Sequence, residues 1–135
     1  MGTDVGAALL ASQSGGVLKL QLNRPDARNA INHELRGLLL HAIKVTAQDP
    51  AIRVVVIEGD EKAFCSGGDV KEMGVDRVTV ARKLREGSQI IEGIANLPKP
   101  VVAGVRGHAS GAGFSLAMAC DHIVAQQDAT FTSVF

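Results

Sequence analysis

The chain has 135 residues, with 14 Lys and Arg against 14 Asp and Glu, so its formal net charge is zero. Apolar residues make up 46% and charged residues 21%, which is typical of a globular domain and too apolar for a disordered chain. The absence of net positive charge, of Trp and of Tyr argues against nucleic-acid binding. The length fits a single domain.

The sequence predicts a cytoplasmic protein without disulfide bonds, metal or membrane anchor. Two cysteines, Cys65 and Cys120, do not make a disulfide framework. Neither they nor the scattered histidines have zinc-site spacing. No apolar run reaches the roughly 18 residues of a membrane span. Residues 1–16 carry no basic region ahead of Ala8–Ala11, so they predict a lead that is either disordered or strand-like rather than a signal peptide.

A core domain over residues 17–135 begins with a strand and a helix. Val17–Leu22 alternates apolar and polar side chains, which predicts a half-buried strand. Asn32 is then expected to cap a helix that runs to about Ala47 and ends at Pro50. The continuous β-branched run Val54–Ile57 predicts a strand buried on both faces, as in a parallel sheet covered by helices.

The rest of the chain alternates glycine-rich loops with helices and strands. A loop at residues 64–69 precedes a helix near residues 79–96, and a strand at Val101–Val105 leads to a second loop at residues 107–113. A short helix over Phe114–Cys120 and a strand over His122–Ala125 follow. The expected buried stripe of the longer helix is Ala81, Leu84, Ile91, Ile94 and Ala95. This alternation predicts an α/β fold built from crossover units.

The two glycine-rich loops carry the functional hypothesis. Each follows a buried strand and precedes a helix, the place where ligands bind in parallel sheets. Gly67 and Gly68 in one loop, and Gly111 and Gly113 in the other, let the backbone approach a ligand closely. Two such loops on neighbouring strands can direct two N–H groups at one oxygen and form an oxyanion hole. The alternatives are tight turns alone, or a dinucleotide fingerprint at residues 107–113, although few residues follow it.

Four motifs resemble the crotonase (enoyl-CoA hydratase/isomerase) superfamily in order and spacing, from about Val17 to the C-terminal residue. They are Asn23-Arg24-Pro25 with Asn29-Ala30; the loop Ala63–Met73; Lys99–Ala103; and the glycines of residues 107–113 with Cys120-Asp121. The resemblance implies a crotonase-like spiral of ββα units, of which this chain is the N-terminal part. It implies an acyl-CoA thioester substrate, no cofactor besides that coenzyme A, and a homotrimer or dimer of trimers.

The same resemblance assigns roles to individual residues. The backbone N–H groups of Gly68 and Ala112 would form the oxyanion hole and hold the thioester oxygen as it becomes an enolate. Arg28 would lie near the phosphates of coenzyme A, where a guanidinium is favourable. The full set of expected substrate-binding residues is Arg28, Ala30, Ser66, Gly68, Asp69, Val70, Lys71, Ser115 and Phe135.

Two departures from the family pattern bear on the reaction. Ser115 and Phe135 stand at the positions where the hydratases carry their two catalytic Glu residues, and water addition needs a general base and acid. The pattern therefore favours the isomerase branch, similar to the phenylacetate-pathway isomerases, with double-bond isomerisation of an enoyl-CoA. Enoyl-CoA hydratase, or a catalytically silent acyl-CoA-binding remnant, are the alternatives. Because family members are about twice as long, the chain is also expected to be truncated at its C-terminus.

Three further side chains are weaker candidates. The Asp69 side chain is expected either to act as an acid or base or, as we favour, to cap the turn that follows it. Asp121 is expected to be structural. Cys65 is either a reactive thiol beside the first loop or, as we favour, a buried and inert one.

Overall fold

A computed structural model of the protein describes residues 2–6, 8–72, 74 and 76–134. In that part of the chain, the strands and helices that the sequence predicts occur in the predicted order, together with further strands that it did not predict. The strands are β1 Gly2–Gly6, β2 Leu9–Ser14, β3 Val17–Leu22, β4 Val54–Glu58, β5 Ala63–Cys65, β6 Val101–Val105, β7 His108–Ser110, β8 His122–Ala125 and β9 Thr130–Thr132. The α-helices are α1 His33–Gln48, α2 Arg77–Ala95 and α3 Ala112–Ala119, and short 3₁₀ turns cover Pro25–Ala27 and Val70–Glu72.

The strands form two sheets. The larger sheet has six strands in the order β1-β2-β3-β4-β6-β8, antiparallel from β1 to β3 and parallel from β3 to β8. The smaller sheet has three parallel strands in the order β5-β7-β9. Strands β4, β6 and β8 are each followed by a short strand of the second sheet, and a helix follows the first two of these pairs. This arrangement confirms the predicted α/β fold with ββα units.

The residues predicted to start the first helix do so in the structure. Asn32 caps α1, its side-chain oxygen accepting a hydrogen bond of 2.9 Å from the N–H of Leu35. Leu35 and Leu39 on the inner face are fully buried, whereas Gly37 on the opposite face is exposed. The sequence therefore predicts the cap and the extent of α1 correctly.

The buried stripe predicted for the second helix is wrong in part. Ile94 is buried as expected and Ile91 is half-buried, but Leu84 is 68% exposed, and Ala81 and Ala95 are also exposed. Ile90, which was not predicted, is buried. Helical spacing identifies side chains that share a face, but a neighbouring element must cover that face to bury it. Here α1 covers the C-terminal half of α2, where Ile43 lies against Gly93.

The N-terminal lead contains a strand, which is one of the two descriptions that the sequence left open. Strand β2 pairs with β3 along its whole length, and Leu9 is fully buried. Ser14 and Val17 close the hairpin across a two-residue turn in which Gly15 has φ +58°. The division of the chain at residue 16 and its truncation stay predictions.

Candidate functional site

The two glycine-rich loops lie against each other. They leave the neighbouring parallel strands β5 and β7 at the same end, whereas the sequence predicted that they follow β4 and β6 directly. A methyl group placed on Gly67 would lie 3.1 Å from the carbonyl oxygen of Ser110 and 3.7 Å from the nitrogen of Ala112. A methyl group on Gly113 would lie 2.1 Å from the carbonyl oxygen of Cys65. The backbones of the two loops are therefore in direct contact, at a distance that glycine allows.

Several backbone N–H groups at this junction make no hydrogen bond with any residue that the structure describes, among them those of Gly68 and Ala112. Gly68 is exposed, and nothing lies within 4 Å of the position that a methyl group on it would occupy. Ala112 opens α3, where the first N–H groups have no partner inside the helix and carry the positive end of its dipole. Neither N–H group has an acceptor in the part of the chain that the structure describes.

A third segment packs against the first loop. The N–H of Ile31 donates to the carbonyl oxygen of Gly67 at 2.7 Å, and the N–H of Asp69 donates to the carbonyl oxygen of Ile31 at 3.1 Å. Ser66 donates from its backbone N–H to the carbonyl oxygen of Arg28 and from its hydroxyl to that of Ala27. The structure thus brings together Arg28, Ala30, Ser66, Gly68 and Asp69, five of the residues expected to bind substrate.

The carboxylate of Asp69 is fully engaged within this segment. One oxygen accepts from the N–H of Lys71 at 3.0 Å, and the other pairs with the Arg24 guanidinium at 3.1 Å. The Lys71 hydrogen bond first, and Arg24 second, hold the pKa of Asp69 below its ordinary value of 3.8. Asp69 therefore shapes the loop, as the turn-capping interpretation expects, and is not poised as a neutral acid.

The remaining predicted residues lie around this centre. Arg28 has an exposed side chain and a left-handed backbone, with φ 52°. Val70 is 75% exposed and Lys71 is exposed, both in the turn that follows Asp69. Ser115 is half-buried in the first turn of α3, close in sequence to Ala112. Phe135 lies outside the described residues.

Sequence reasoning missed two residues of the site. The side chain of Arg24 reaches both the carbonyl oxygen of Ala30, at 2.6 Å, and the carboxylate of Asp69. Asn29 is fully buried, accepts from the N–H of Arg24 at 2.7 Å and donates to the carbonyl oxygen of Ala63 at 3.0 Å. The available signal was the motif Asn23-Arg24-Pro25 with Asn29-Ala30, in which the resemblance gave Arg24 and Asn29 no role of their own.

The surroundings of Cys65 and Asp121 indicate structural roles for both residues. Burial raises the pKa of the Cys65 thiol to about 11, and burial together with Asp121 raises that of Cys120 to about 12, which supports the inert interpretation. Asp121 accepts from the N–H of Val101 at 2.8 Å. Among the described residues, no group of three or more His, Cys, Asp or Glu could hold a metal ion. No helix in the same part of the chain is long and apolar enough to cross a membrane.

A cavity of about 260 Å³ lies away from the two loops, between strands β2 and β3 and the C-terminal half of α1. Its lining includes Leu18, Leu20 and Val45 together with His41 and Asp49. None of the residues expected to bind substrate takes part in it. The loop junction and this cavity are therefore separate sites in the structure.

Comparison with known proteins gives one consistent result. The profile of the enoyl-CoA hydratase/isomerase family matches residues 12–135. The 1,2-epoxyphenylacetyl-CoA isomerase of Escherichia coli (strain K12) is 34% identical over 132 residues, which cover 94% of this chain and 50% of that protein. A protein of Rhizobium meliloti (strain 1021) named "Probable enoyl-CoA hydratase" is 43% identical over 124 residues, covering 91% of this chain and 48% of that protein.

Solved structures agree with the sequence relatives. The crystal structure of an enoyl-CoA hydratase from Mycobacterium smegmatis superposes with a TM-score of 0.89 at 37% identity, covering 93% of this chain and 50% of that one. The chain thus spans about half the length of the relatives that it matches.

Proposed function

We propose, from the premise that the chain belongs to the enoyl-CoA hydratase/isomerase family, that it supplies the oxyanion hole of an acyl-CoA enzyme. One observation carries the proposal. The N–H groups of Gly68 and Ala112 lie on two touching loops and have no partner among the described residues. Backbone donors without a partner suit an oxygen that gains negative charge, and the N–H of Ala112 also lies at the start of α3.

In this proposal the thioester carbonyl oxygen of the substrate accepts a hydrogen bond from each N–H group. When a base removes the proton from the carbon beside the carbonyl, the negative charge moves to that oxygen. The two donors then stabilise the enolate more strongly than the neutral carbonyl, which lowers the barrier. Loss of one oxyanion-hole donor costs about 3–4 kcal/mol of transition-state stabilisation in other enzymes.

The reaction that we propose is double-bond isomerisation of an enoyl-CoA. A proton leaves the α carbon, the enolate forms, and a proton returns at the γ carbon, so no water is added. Ser115 bears on this choice, because the resemblance places a catalytic Glu of the hydratases at its position, and a hydroxyl with no carboxylate bonded to it in the described part of the chain cannot act as that base. Isomerisation also needs a base for the α proton, and Ser115 does not supply it. The relatives carry both isomerase and hydratase names, so reversible hydration of a 2-enoyl-CoA is the alternative.

Further proposals concern binding and setting. We propose that the exposed Arg28 guanidinium approaches the phosphates of coenzyme A, that Val70 and Lys71 border the acyl-CoA, and that no cofactor is needed beyond that coenzyme. The unpaired thiols Cys65 and Cys120 support a reducing, cytoplasmic setting. We also propose a homotrimer or dimer of trimers, on the family resemblance alone.

The test removes each N–H group without removing a side chain. Ala112→Pro deletes the donor at the first position of α3, where helices accept proline, and Ala112→Ser is the control that keeps it. Gly68→Pro and Gly68→Ala form a second pair, since a methyl group on Gly68 meets open space. In the protein as its source makes it, each proline variant should lower kcat for a 3-enoyl-CoA by about 10²–10³-fold. Unchanged turnover in both proline variants refutes the oxyanion hole.

The engagement of both Asp69 oxygens favours one second candidate, a catalytically silent acyl-CoA-binding protein. Exchange of the α protons of a saturated acyl-CoA in heavy water separates the two proposals. Exchange requires a base as well as the oxyanion hole. Binding of the acyl-CoA without any exchange would therefore support the silent protein and contradict the enzyme.

A further inference from the structure

Arg24 connects the two segments that surround Gly68. We call this connection the Arg24 clasp, formed by Arg24, Ala30 and Asp69. One guanidinium nitrogen donates both to the carbonyl oxygen of Ala30, at 2.6 Å, and to the carboxylate of Asp69, at 3.1 Å. The side chains of Arg24 and Asp69 are only 22% and 12% exposed, so solvent screens this charge-assisted pair weakly. The clasp therefore joins segments that are 45 residues apart in sequence.

The clasp lies next to the bridge that orients Gly68. In the parallel bridge between Ile31 and Gly68, Ile31 bonds to the carbonyl of Gly67 and to the N–H of Asp69. Ile31 thus holds the peptide groups on both sides of Gly68, and the N–H of Gly68 itself points away from Ile31. Arg24 contacts the residue before Ile31 and the residue after Gly68, so it fixes both ends of this bridge.

The backbone on the Ile31 side is held in an unusual conformation. Arg28 and Asn29 are consecutive residues with φ 52° and 59°, a region that residues other than glycine seldom adopt. The side chain of Asn29 maintains this conformation by accepting from the N–H of Arg24 and by a buried hydrogen bond to the carbonyl oxygen of Ala63. Strain of this kind persists where surrounding contacts determine it, and it concentrates at functional sites.

We propose that Arg24 is a positioning residue, which holds the loop carrying Gly68 so that the N–H of Gly68 faces the thioester oxygen. Arg24 contacts the loop and not the substrate, and it acts through Asp69 and Ala30. This inference rests on the proposed function, because it explains how one donor of the proposed oxyanion hole is held in its orientation. Loss of the clasp frees the loop without deleting the donor, so acyl-CoA still binds but its carbonyl is polarised less.

The experiment compares Arg24→Gln with Arg24→Lys, and uses Arg85→Gln, on an exposed part of α2, as the control for charge and size. The measurements are kcat, KM and the ¹³C chemical shift of the thioester carbonyl of bound [1-¹³C]crotonyl-CoA. Arg24→Gln should lower kcat by up to about 10²-fold, with KM changed much less, and should reduce the shift. Arg24→Lys should restore part of both, and Arg85→Gln should change neither.

Asp121→Asn is the control that separates a general loss of stability from loss of positioning. It weakens the hydrogen bond from Val101, which is not part of the clasp. That variant should lower the melting temperature without moving the carbonyl shift. The double variant Arg24→Gln/Asp69→Asn should lower kcat no more than the more damaging of the two single substitutions does, because the two side chains act as a unit. Additive losses, or an unchanged carbonyl shift in Arg24→Gln, overturn the positioning role.

The same measurements on Ala112→Pro separate the two proposals, since Ala112 is no part of the clasp. If Ala112→Pro loses rate and carbonyl shift while Arg24→Gln loses neither, only the positioning role of Arg24 fails. If neither variant changes the shift, the oxyanion hole fails and the positioning role with it.

Discussion

Gly113→Ala tests the contact between the two loops. The added methyl group would lie 2.1 Å from the carbonyl oxygen of Cys65, whereas ordinary contact begins at 3.4 Å, so these atoms must separate by about 1.3 Å. The atoms that the methyl group would meet are the backbone and Cβ of Cys65, which is fully buried, so moving them is costly. Overpacking of this kind destabilises a protein by about 1–3 kcal/mol. If the junction is the proposed oxyanion hole, a displacement near 1 Å there costs about 10²-fold in rate.

The assay is urea unfolding of Gly113→Ala beside Gly37→Ala, followed by acyl-CoA turnover of both. Gly37 is exposed on α1 with nothing within 4 Å of its added methyl group, so the same change should there stabilise by about 0.5–1 kcal/mol. Gly113→Ala should move the unfolding midpoint the other way and lower kcat. If Gly113→Ala unfolds at the same urea concentration as the parent and keeps its kcat, the close approach of the loops is incorrect.

Three other predictions concern single side chains. Cys65 and Cys120 should resist alkylation in the native protein at about pH 8, because burial raises both pKa values, and should react once urea unfolds the chain; rapid native labelling would contradict this. Because its pKa is lowered in the folded state, the Asp69 carboxylate should stabilise the fold above about pH 4, and this stabilisation should be lost as the pH falls further. Below about pH 4, the urea midpoint of Asp69→Asn should therefore depend less on pH than that of the parent. Asn32→Ala should destabilise by about 1 kcal/mol, read from the same midpoints, because it removes the cap of α1.

The sequence predicts the elements whose signals are local. The alternation of Val17–Leu22, the cap at Asn32 and the β-branched run at Val54–Ile57 each locate their element within one or two residues. The boundaries of β6 and β8 also agree with the prediction. In each case the pattern depends on the residues of that element alone.

The second sheet was not predicted, because its strands leave no local pattern. Strands β5, β7 and β9 have three residues each, too few for an alternation to be recognised, and two of them lie in or beside the glycine-rich loops. Their partners are distant in sequence, as in the pairing of Ala63 with His108. The Arg24 clasp was missed for the same reason, since Asp69 stands far from Arg24 along the chain.

The mixed architecture of the larger sheet has a consequence for how the chain folds. Strands β2 and β3 are joined by two residues, so their antiparallel pairing closes a small loop at little entropic cost. The parallel pairs β3–β4, β4–β6 and β6–β8 each enclose a crossover, and such non-local pairing slows folding. We therefore expect pulse-labelling hydrogen exchange to protect the amides of β2 and β3 first and those of β8 last, so that assembly proceeds from the hairpin outward.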